Sequence, residues 1–278
     1  MRVLILGATG LLGKALVREW TDDKVQAMGS RDVDIRDSAK VREIVERARP
    51  DWVALAAAYT DVDGCESHRE LAFAVNRDGA VNVAKAARQG GARVIFLSSD
   101  YVFDGKKTSP YEVDNRRNPQ SVYGHSKAEA EIKLLEILPT CCIARTSWVF
   151  GVGGRCFPDT ILRLAASRPA LDVVNDQRGC PTYTIDLARA IIQLCRKDAS
   201  GIVHVTNAGD CTWFEFAQEI VNGAGLAAQV RPVSSQQMAR PAPRPAYSVL
   251  SATSLRRYGI EMPKWKDALD RYLQERRS

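Results

Sequence analysis

Residues 2–13 read Arg2-Val3-Leu4-Ile5-Leu6-Gly7-Ala8-Thr9-Gly10-Leu11-Leu12-Gly13. The apolar run Val3–Leu6 is too short for a helix and fits a strand buried on both faces. In a strand-to-helix turn the first glycine permits the tight bend and the second lets backbone approach a pyrophosphate. The third allows close packing of helix on strand. The helix beyond would turn its free N–H groups and positive dipole end toward phosphates. A glycine triplet is weak by itself. Placed directly after a first strand, it predicts the opening βαβ unit of a dinucleotide-binding sheet.

Outward from that turn, short apolar runs recur at Val25–Met28, Trp52–Ala56, Arg93–Leu97 and Cys142–Arg145. Between them, Leu11–Trp20, Ser38–Ala48, Ala72–Arg88 and Ser121–Leu138 carry apolar residues every three or four positions. This alternation predicts an α/β protein, a doubly wound parallel sheet of the Rossmann type covered on both faces. After Arg145 the texture changes. Gly151-Val152-Gly153-Gly154 reads as a loop, and helices are predicted at Asp159–Ser167, Ile185–Arg196, Trp213–Asn222 and Lys266–Gln274. The stretch Arg240-Pro241-Ala242-Pro243-Arg244-Pro245 cannot be helix or central strand. The expected division is 1–145 plus about 181–204 as the nucleotide-binding domain. About 146–180 and 205–278 then form a smaller, discontinuous C-terminal substrate lobe.

The chain has 278 residues, 45% apolar and 26% charged, enough apolar surface to exclude wholesale disorder. It contains no apolar run long enough for a transmembrane helix. Met1-Arg2 passes straight into the first strand without the apolar core of a secretion signal, so a cytoplasmic location is expected. The formal charge of +6 comes without the basic stripe of a nucleic-acid module. Neither nucleic acid nor membrane is expected as a partner, and a mildly positive field suits an anionic small substrate. Seven cysteines, without a C-x-x-C pair, read as reduced and buried. His68, His125 and His204 stand singly, so no metal site is expected.

Three further segments carry chemistry. Met28-Gly29-Ser30-Arg31-Asp32 lacks an acid at the second strand's tip to hold a ribose 2′-hydroxyl. Arg31 suits a 2′-phosphate, so NADP is favoured, with Asp32 keeping NAD open. Tyr123-Gly124-His125-Ser126-Lys127 puts Tyr123 and Lys127 one helical turn apart. A tyrosine at its usual pKa of about 10 exchanges protons poorly at neutrality. An ammonium about 4 Å away supplies about 4 kcal/mol at an effective dielectric of about 20, enough to make a usable general acid. Leu97-Ser98-Ser99-Asp100-Tyr101-Val102-Phe103-Asp104-Gly105 lies at the carboxyl end of the fourth strand, where such sheets bind ligands. A hydroxyl there can donate to a carbonyl oxygen as charge develops on it. Alone, a serine at a strand end is a cap; in this order on these elements, the segments point to a reductase site.

The Gly-x-x-Gly-x-x-Gly spacing resembles the extended short-chain dehydrogenase/reductase superfamily. Nearly end to end, the chain resembles the dTDP-4-dehydrorhamnose reductase family. The resemblance places the family's catalytic triad on Ser99, Tyr123 and Lys127, with Ser99 where most members carry threonine. It implies cofactor contacts from Gly7, Thr9, Gly10, Leu11, Leu12, Gly13, Arg31, Asp34, Ile35, Ala56, Ala57, Ala58, Tyr59, Tyr123 and Lys127. Substrate contacts are implied from Thr60, Val62, Ser99, Asp100, Tyr101, Trp148 and Arg244. Ala56–Asp63 resembles the loop beside nicotinamide and sugar, and Arg145–Phe150 a substrate-facing strand. Asp176–Tyr183 matches a further block, with Cys180 replacing the usual Ser or Ala, and Arg244–Ser248 resembles the region near the substrate diphosphate.

The reaction implied is hydride transfer from NADPH, with NADH left open, to C4 of dTDP-4-dehydro-6-deoxy-L-mannose. Tyr123 gives the proton, Lys127 lowers its pKa and holds the ribose, and Ser99 polarises the ketone. The product would be dTDP-L-rhamnose. A homodimer is left open. Two other readings also stand: a reductase of a different nucleotide-linked 4-ketosugar, or a non-catalytic NADP-binding protein resembling the regulatory subunit of methionine adenosyltransferase. The blocks around Trp148 and Asp176–Tyr183 favour the reductase. Tyr101 stands where nucleotide-sugar dehydratases carry glutamate, which disfavours dehydration.

Overall fold

The computed structural model describes residues 1–277. Strands β1 (Arg2–Leu6), β2 (Lys24–Met28), β3 (Trp52–Leu55), β4 (Arg93–Ser99) and β5 (Cys142–Thr146) join a sixth, Gly201–His204, in one sheet. All neighbours are parallel, in the order Gly201–His204, β5, β4, β3, β1, β2. Successive side chains of a strand point to opposite faces. Accordingly Val3 and Ile5 join Leu16 and Ile191 in one core, while Leu4 and Leu6 join Val41, Ile44 and Val83 in another.

Helices α1 (Leu11–Glu19), α2 (Ser38–Ala48), α3 (Val62–Ser67), α4 (Arg69–Phe73), α5 (Ala80–Gln89) and α6 (Val122–Ile137) follow in chain order. α2, α5 and α6 cover one face of the sheet; α1 packs on the other beside a later helix, Thr184–Arg196. The single helix expected over Ala72–Arg88 is instead α4, a π turn Ala74–Gly79, and α5. The wide turn carries one residue more per turn, which swings Asn76 inward, where it is 1% exposed and pairs with polar groups.

Beyond β5 come α7 (Phe157–Ala165), α8 (Thr184–Arg196), α9 (Trp213–Gly223) and a last helix, Trp265–Arg277. Thr212 and Glu215 form a reciprocal capping box that starts α9. Short ribbons pair Ala170–Val174 with Gln229–Val233 and Arg178–Gly179 with Cys211–Thr212. The expected strand Arg145–Phe150 is broken: β5 stops at Thr146, Trp148 turns to φ +47°, and Val149–Phe150 pairs with Thr182–Tyr183. A tryptophan in the left-handed region is strained and needs its surroundings to hold it there. Phe150, Phe216, Trp265 and Tyr272 continue the core formed under α1 and α8, so this lobe folds onto the sheet. Among the described residues no helix is long and apolar enough to cross a membrane.

Candidate active site

From β1 the chain moves first to β2 on one side, then across to β3 and β4 on the other. Ligands of such sheets bind in the crevice at that reversal. Gly7 ends β1 there with φ +92°, and a Cβ on it would lie 2.4 Å from the Ala57 nitrogen. A Cβ on Gly13 would meet the Gly7 carbonyl at 2.1 Å. Only glycines permit this approach, and it leaves bare backbone facing a cleft of about 400 Å³. Of the residues expected to hold a dinucleotide, Gly7, Thr9, Gly10, Asp34, Ile35, Ala56, Ala57 and Ala58 line it. Leu11 and Leu12 open α1, with Gly13 buried behind them in its first turn. The turn, the backbone lining and the helix N-terminus fit a dinucleotide.

The basic residue at this cleft differs from the one expected. Arg31 is exposed and outside the lining; Ser30 and Arg36 are in it, and Arg36 pairs with Asp34 at 2.5 Å. The reason is local. Asp32 accepts a hydrogen bond from the Gly29 N–H at 2.7 Å, and Val33 N–H bonds the Gly29 carbonyl, which tightens the turn and leaves Arg31 at its apex. Asp32 thereby serves the turn rather than the cleft.

Ser99 closes β4 and caps a short 3-10 turn, Asp100–Val102, accepting from the Tyr101 N–H at 3.2 Å. Opposite it, Ser121 caps α6 by accepting from the Gly124 N–H, which places Tyr123 in the first turn. A Cβ on Gly124 would lie 2.3 Å from the Tyr101 carbonyl oxygen, so glycine lets the two segments meet. The Tyr101 and Tyr123 rings stand edge to face, 5.6 Å apart. Lys127, 2% exposed, holds its Nζ 4.0 Å from the Phe96 ring centre.

Burial pushes the Tyr123 phenol well above its ordinary value; the Asp100 carboxylate adds to this, and a hydrogen bond with Ser99 pulls the other way. Burial brings Lys127 down to about 7, opposed by Glu131 one turn further on. At Tyr123 burial therefore outweighs the lowering expected from Lys127. Burial dominates at both groups, and it disfavours the ammonium that was to do the lowering. Burial also raises Asp100 to about 6, while Ser248, Ser99 and the backbone of its own turn pull it the other way.

Beneath the helix, Glu131 and Arg145 form a fully buried pair at 2.7 Å. Arg117 and the Ser98 hydroxyl complete the carboxylate's partners. Burial raises Glu131, but Arg145 and Arg117 outweigh it and keep the carboxyl below its ordinary value. The network ties α6 to β4 and β5. Asn76 does the same for the cofactor-side loop: it accepts from Tyr59 N–H and donates to the Tyr59 carbonyl and to Ser126 Oγ.

A second cleft, of about 320 Å³, opens beside Tyr101. Phe157, Trp213, Gln177, Arg240 and Arg244 are among its lining residues. Trp148 stacks on Trp213 with ring centres 3.5 Å apart, and a Cβ on Gly179 would sit 2.6 Å from its indole. Trp148 therefore supports this wall through Trp213. Arg244 lies over the Tyr101 ring and pairs with Asp63 at 2.9 Å, and Asp63 also accepts from the Ala242 N–H. Thr60 and Val62 sit on the segment between Tyr59 and Asp63 and line neither cleft. Sequence reasoning missed Asn76, Arg36 and Trp213. Only Asn76 left a trace, as a polar residue on the apolar side of the Ala72–Arg88 pattern.

A doubly wound sheet with a glycine-lined crevice, and with Ser99 facing Tyr123 near Lys127, is the architecture of an extended short-chain dehydrogenase/reductase. Its sequence places it further. The chain belongs to the family described as RmlD substrate binding domain, which matches residues 1–278. The spore coat polysaccharide biosynthesis protein SpsK of Bacillus subtilis is 41% identical, covering 100% of this chain and 98% of that protein. A dTDP-4-dehydrorhamnose reductase of Streptomyces griseus is 41% identical over 96% of this chain and 91% of its own length. The crystal structure of dTDP-4-dehydrorhamnose reductase from Bacillus anthracis in complex with NADP superposes with a TM-score of 0.96, at 38% identity over 99% of both chains.

Proposed function

We propose that the protein reduces the C4 ketone of dTDP-4-dehydro-6-deoxy-L-mannose to give dTDP-L-rhamnose, with NADPH as reductant. The observation that carries this reading is the contact of the Tyr123 ring with Tyr101, which lines the cleft holding Arg240 and Arg244, in a sheet whose first turn forms a glycine-lined crevice. Bound NADPH supplies the hydride. Gly7, Thr9, Gly10 and the first turn of α1 hold its pyrophosphate through backbone N–H groups and the helix dipole. Ser30 and Arg36 line the crevice and suit a ribose 2′-phosphate.

Tyr123 donates its phenolic proton to the sugar oxygen as negative charge develops there. Protonated Lys127, one turn along, favours the phenolate left behind. Ser99 donates a hydrogen bond to the same oxygen. Arg240 and Arg244 meet the substrate diphosphate, and the aromatic wall of Phe157 and Trp213 receives apolar surface of the nucleotide. Residues 1–145 with 181–204 carry the cofactor, and 146–180 with 205–278 carry the sugar nucleotide. All seven cysteines are unpaired, as suits a protein of the reducing cytoplasm.

Product analysis tests the sugar assignment. NMR of the nucleotide sugar formed from the ketosugar and NADPH should show the hydroxyl configuration of L-rhamnose at C4. The other C4 epimer would assign a different ketosugar reductase, and NADPH binding without turnover would favour a regulatory role.

A further inference from the structure

Ser99 can polarise a ketone only if its proton points into the cleft, and its neighbours decide where that proton goes. Its oxygen already accepts from the Tyr101 N–H at 3.2 Å, and it lies 2.9 Å from Asp100 Oδ1. If Asp100 is a carboxylate, it accepts only and draws the serine proton, in competition with the Tyr123 phenol that Ser99 also meets. The cleft then meets serine lone pairs, which repel a carbonyl oxygen. If Asp100 is a carboxylic acid, it donates to the serine oxygen, and the serine proton is free to point at the substrate.

We infer that Asp100 works as a neutral acid, a positioning residue that donates to Ser99 and so aims the Ser99 hydroxyl at the ketone oxygen. The inference rests on the reductase reading of the same site. Its support is geometric. Asp100 is 1% exposed, and its second oxygen, Oδ2, is buried with no hydrogen-bond partner among the described residues. An ionised carboxylate so placed would be poorly satisfied; a neutral acid tolerates the site better.

The groups around it supply no cation. They are Ser99 and Tyr101 from its own turn, Tyr123 from α6, Cys180 after the Arg178–Gly179 strand, and Ser248. The nearby positive groups are engaged elsewhere: Arg244 with Asp63 and over the Tyr101 ring, Lys127 over Phe96. Burial accordingly raises Asp100 to about 6. Neutralising Asp100 also removes the negative charge that makes Tyr123 a weaker acid. No proton leaves Asp100 or Ser99 in the reaction, since Tyr123 supplies it.

Asp100→Asn keeps the shape and presents an amide donor at every pH. In the wild type both Asp100 and Lys127 must be protonated, at about 6 and about 7 in the free protein. Log kcat/KM should therefore fall above neutrality with a slope approaching two. In Asp100→Asn it should fall with a slope of one, the gap widening toward about tenfold per pH unit. Adding Asp100→Asn to Ser99→Ala should change nothing, because the effect passes through Ser99. Superimposable profiles for Asp100→Asn and wild type would overturn the inference, as would an equal effect in the Ser99→Ala background. Carbon-13 NMR of labelled aspartate, assigned with Asp100→Asn, reads the carboxyl without turnover. A midpoint near 6 or above supports the inference, and one below about 5 overturns it. If the wild type oxidises no NADPH with the ketosugar at any pH, the reductase reading fails, while this titration still decides the state of Asp100.

Discussion

The Asn76 side chain closes both hydrogen bonds of the Tyr59 backbone, accepting from its N–H at 2.8 Å and donating to its carbonyl at 3.1 Å. The same amide reaches Ser126 on α6 at 3.0 Å, so one buried side chain joins the loop after β3 to the helix bearing Tyr123 and Lys127. Asn76→Ala would orphan these buried groups at a cost of about 1–3 kcal/mol. Calorimetry should show the melting temperature fall by several degrees, and KM for NADPH should rise as the loop loosens. An unchanged Tm would mean that the amide is not what holds Tyr59.

Gly124 is the spacer between Tyr101 and Tyr123. A methyl there would lie 2.3 Å from the Tyr101 carbonyl and would push the Ser99–Val102 turn away from α6. Gly124→Ala should lower kcat by about a hundredfold, the effect of displacing a reacting group by about 1 Å. Fluorescence titration should find NADPH binding kept, since the crevice lies elsewhere. Full activity would show that the turn yields without moving Ser99.

Arg36, rather than Arg31, borders the cofactor crevice. Arg36→Ala should raise KM for NADPH about tenfold, the loss of one charge-assisted contact, and leave KM for NADH nearly unchanged. Arg31→Ala should leave both values in place. The reverse pattern would restore the assignment read from the sequence.

Gly179 seats the Trp148 indole, which in turn backs Trp213. Gly179→Ala should disturb this stack and raise KM for the sugar nucleotide several-fold, while KM for NADPH stays put. Steady-state kinetics with each substrate varied in turn would separate the two. A rise in KM for NADPH alone would contradict the placement of the sugar cleft.

The sheet was legible because its strands announce themselves. Val3–Leu6, Trp52–Leu55 and Cys142–Ala144 are buried on both faces, so their apolar runs are unbroken. Glycine spacing located the crevice, because steric limits at Gly7 and Gly13 are local facts. Sequence patterns failed where the outcome depends on partners remote in the chain. The π turn exists where Asn76 meets Tyr59 and Ser126, and Trp148 leaves β5 to meet Gly179 and Trp213. Arg31 was expected at the crevice and Arg36 was missed because the Asp32–Gly29 hydrogen bond, which turns the loop, has no signature in composition. The spacing of Tyr123 and Lys127 was readable; the burial that governs their proton affinities was not.

The most direct measurement follows NADPH absorbance with dTDP-4-dehydro-6-deoxy-L-mannose generated in situ, comparing wild type with Tyr123→Phe. Wild-type protein should oxidise NADPH only when the ketosugar is present. The variant should bind NADPH equally well and lose at least a hundredfold in kcat, as expected for removal of a general acid. Wild-type protein that binds NADPH but leaves it unoxidised, or a Tyr123→Phe variant as active as wild type, would contradict the account.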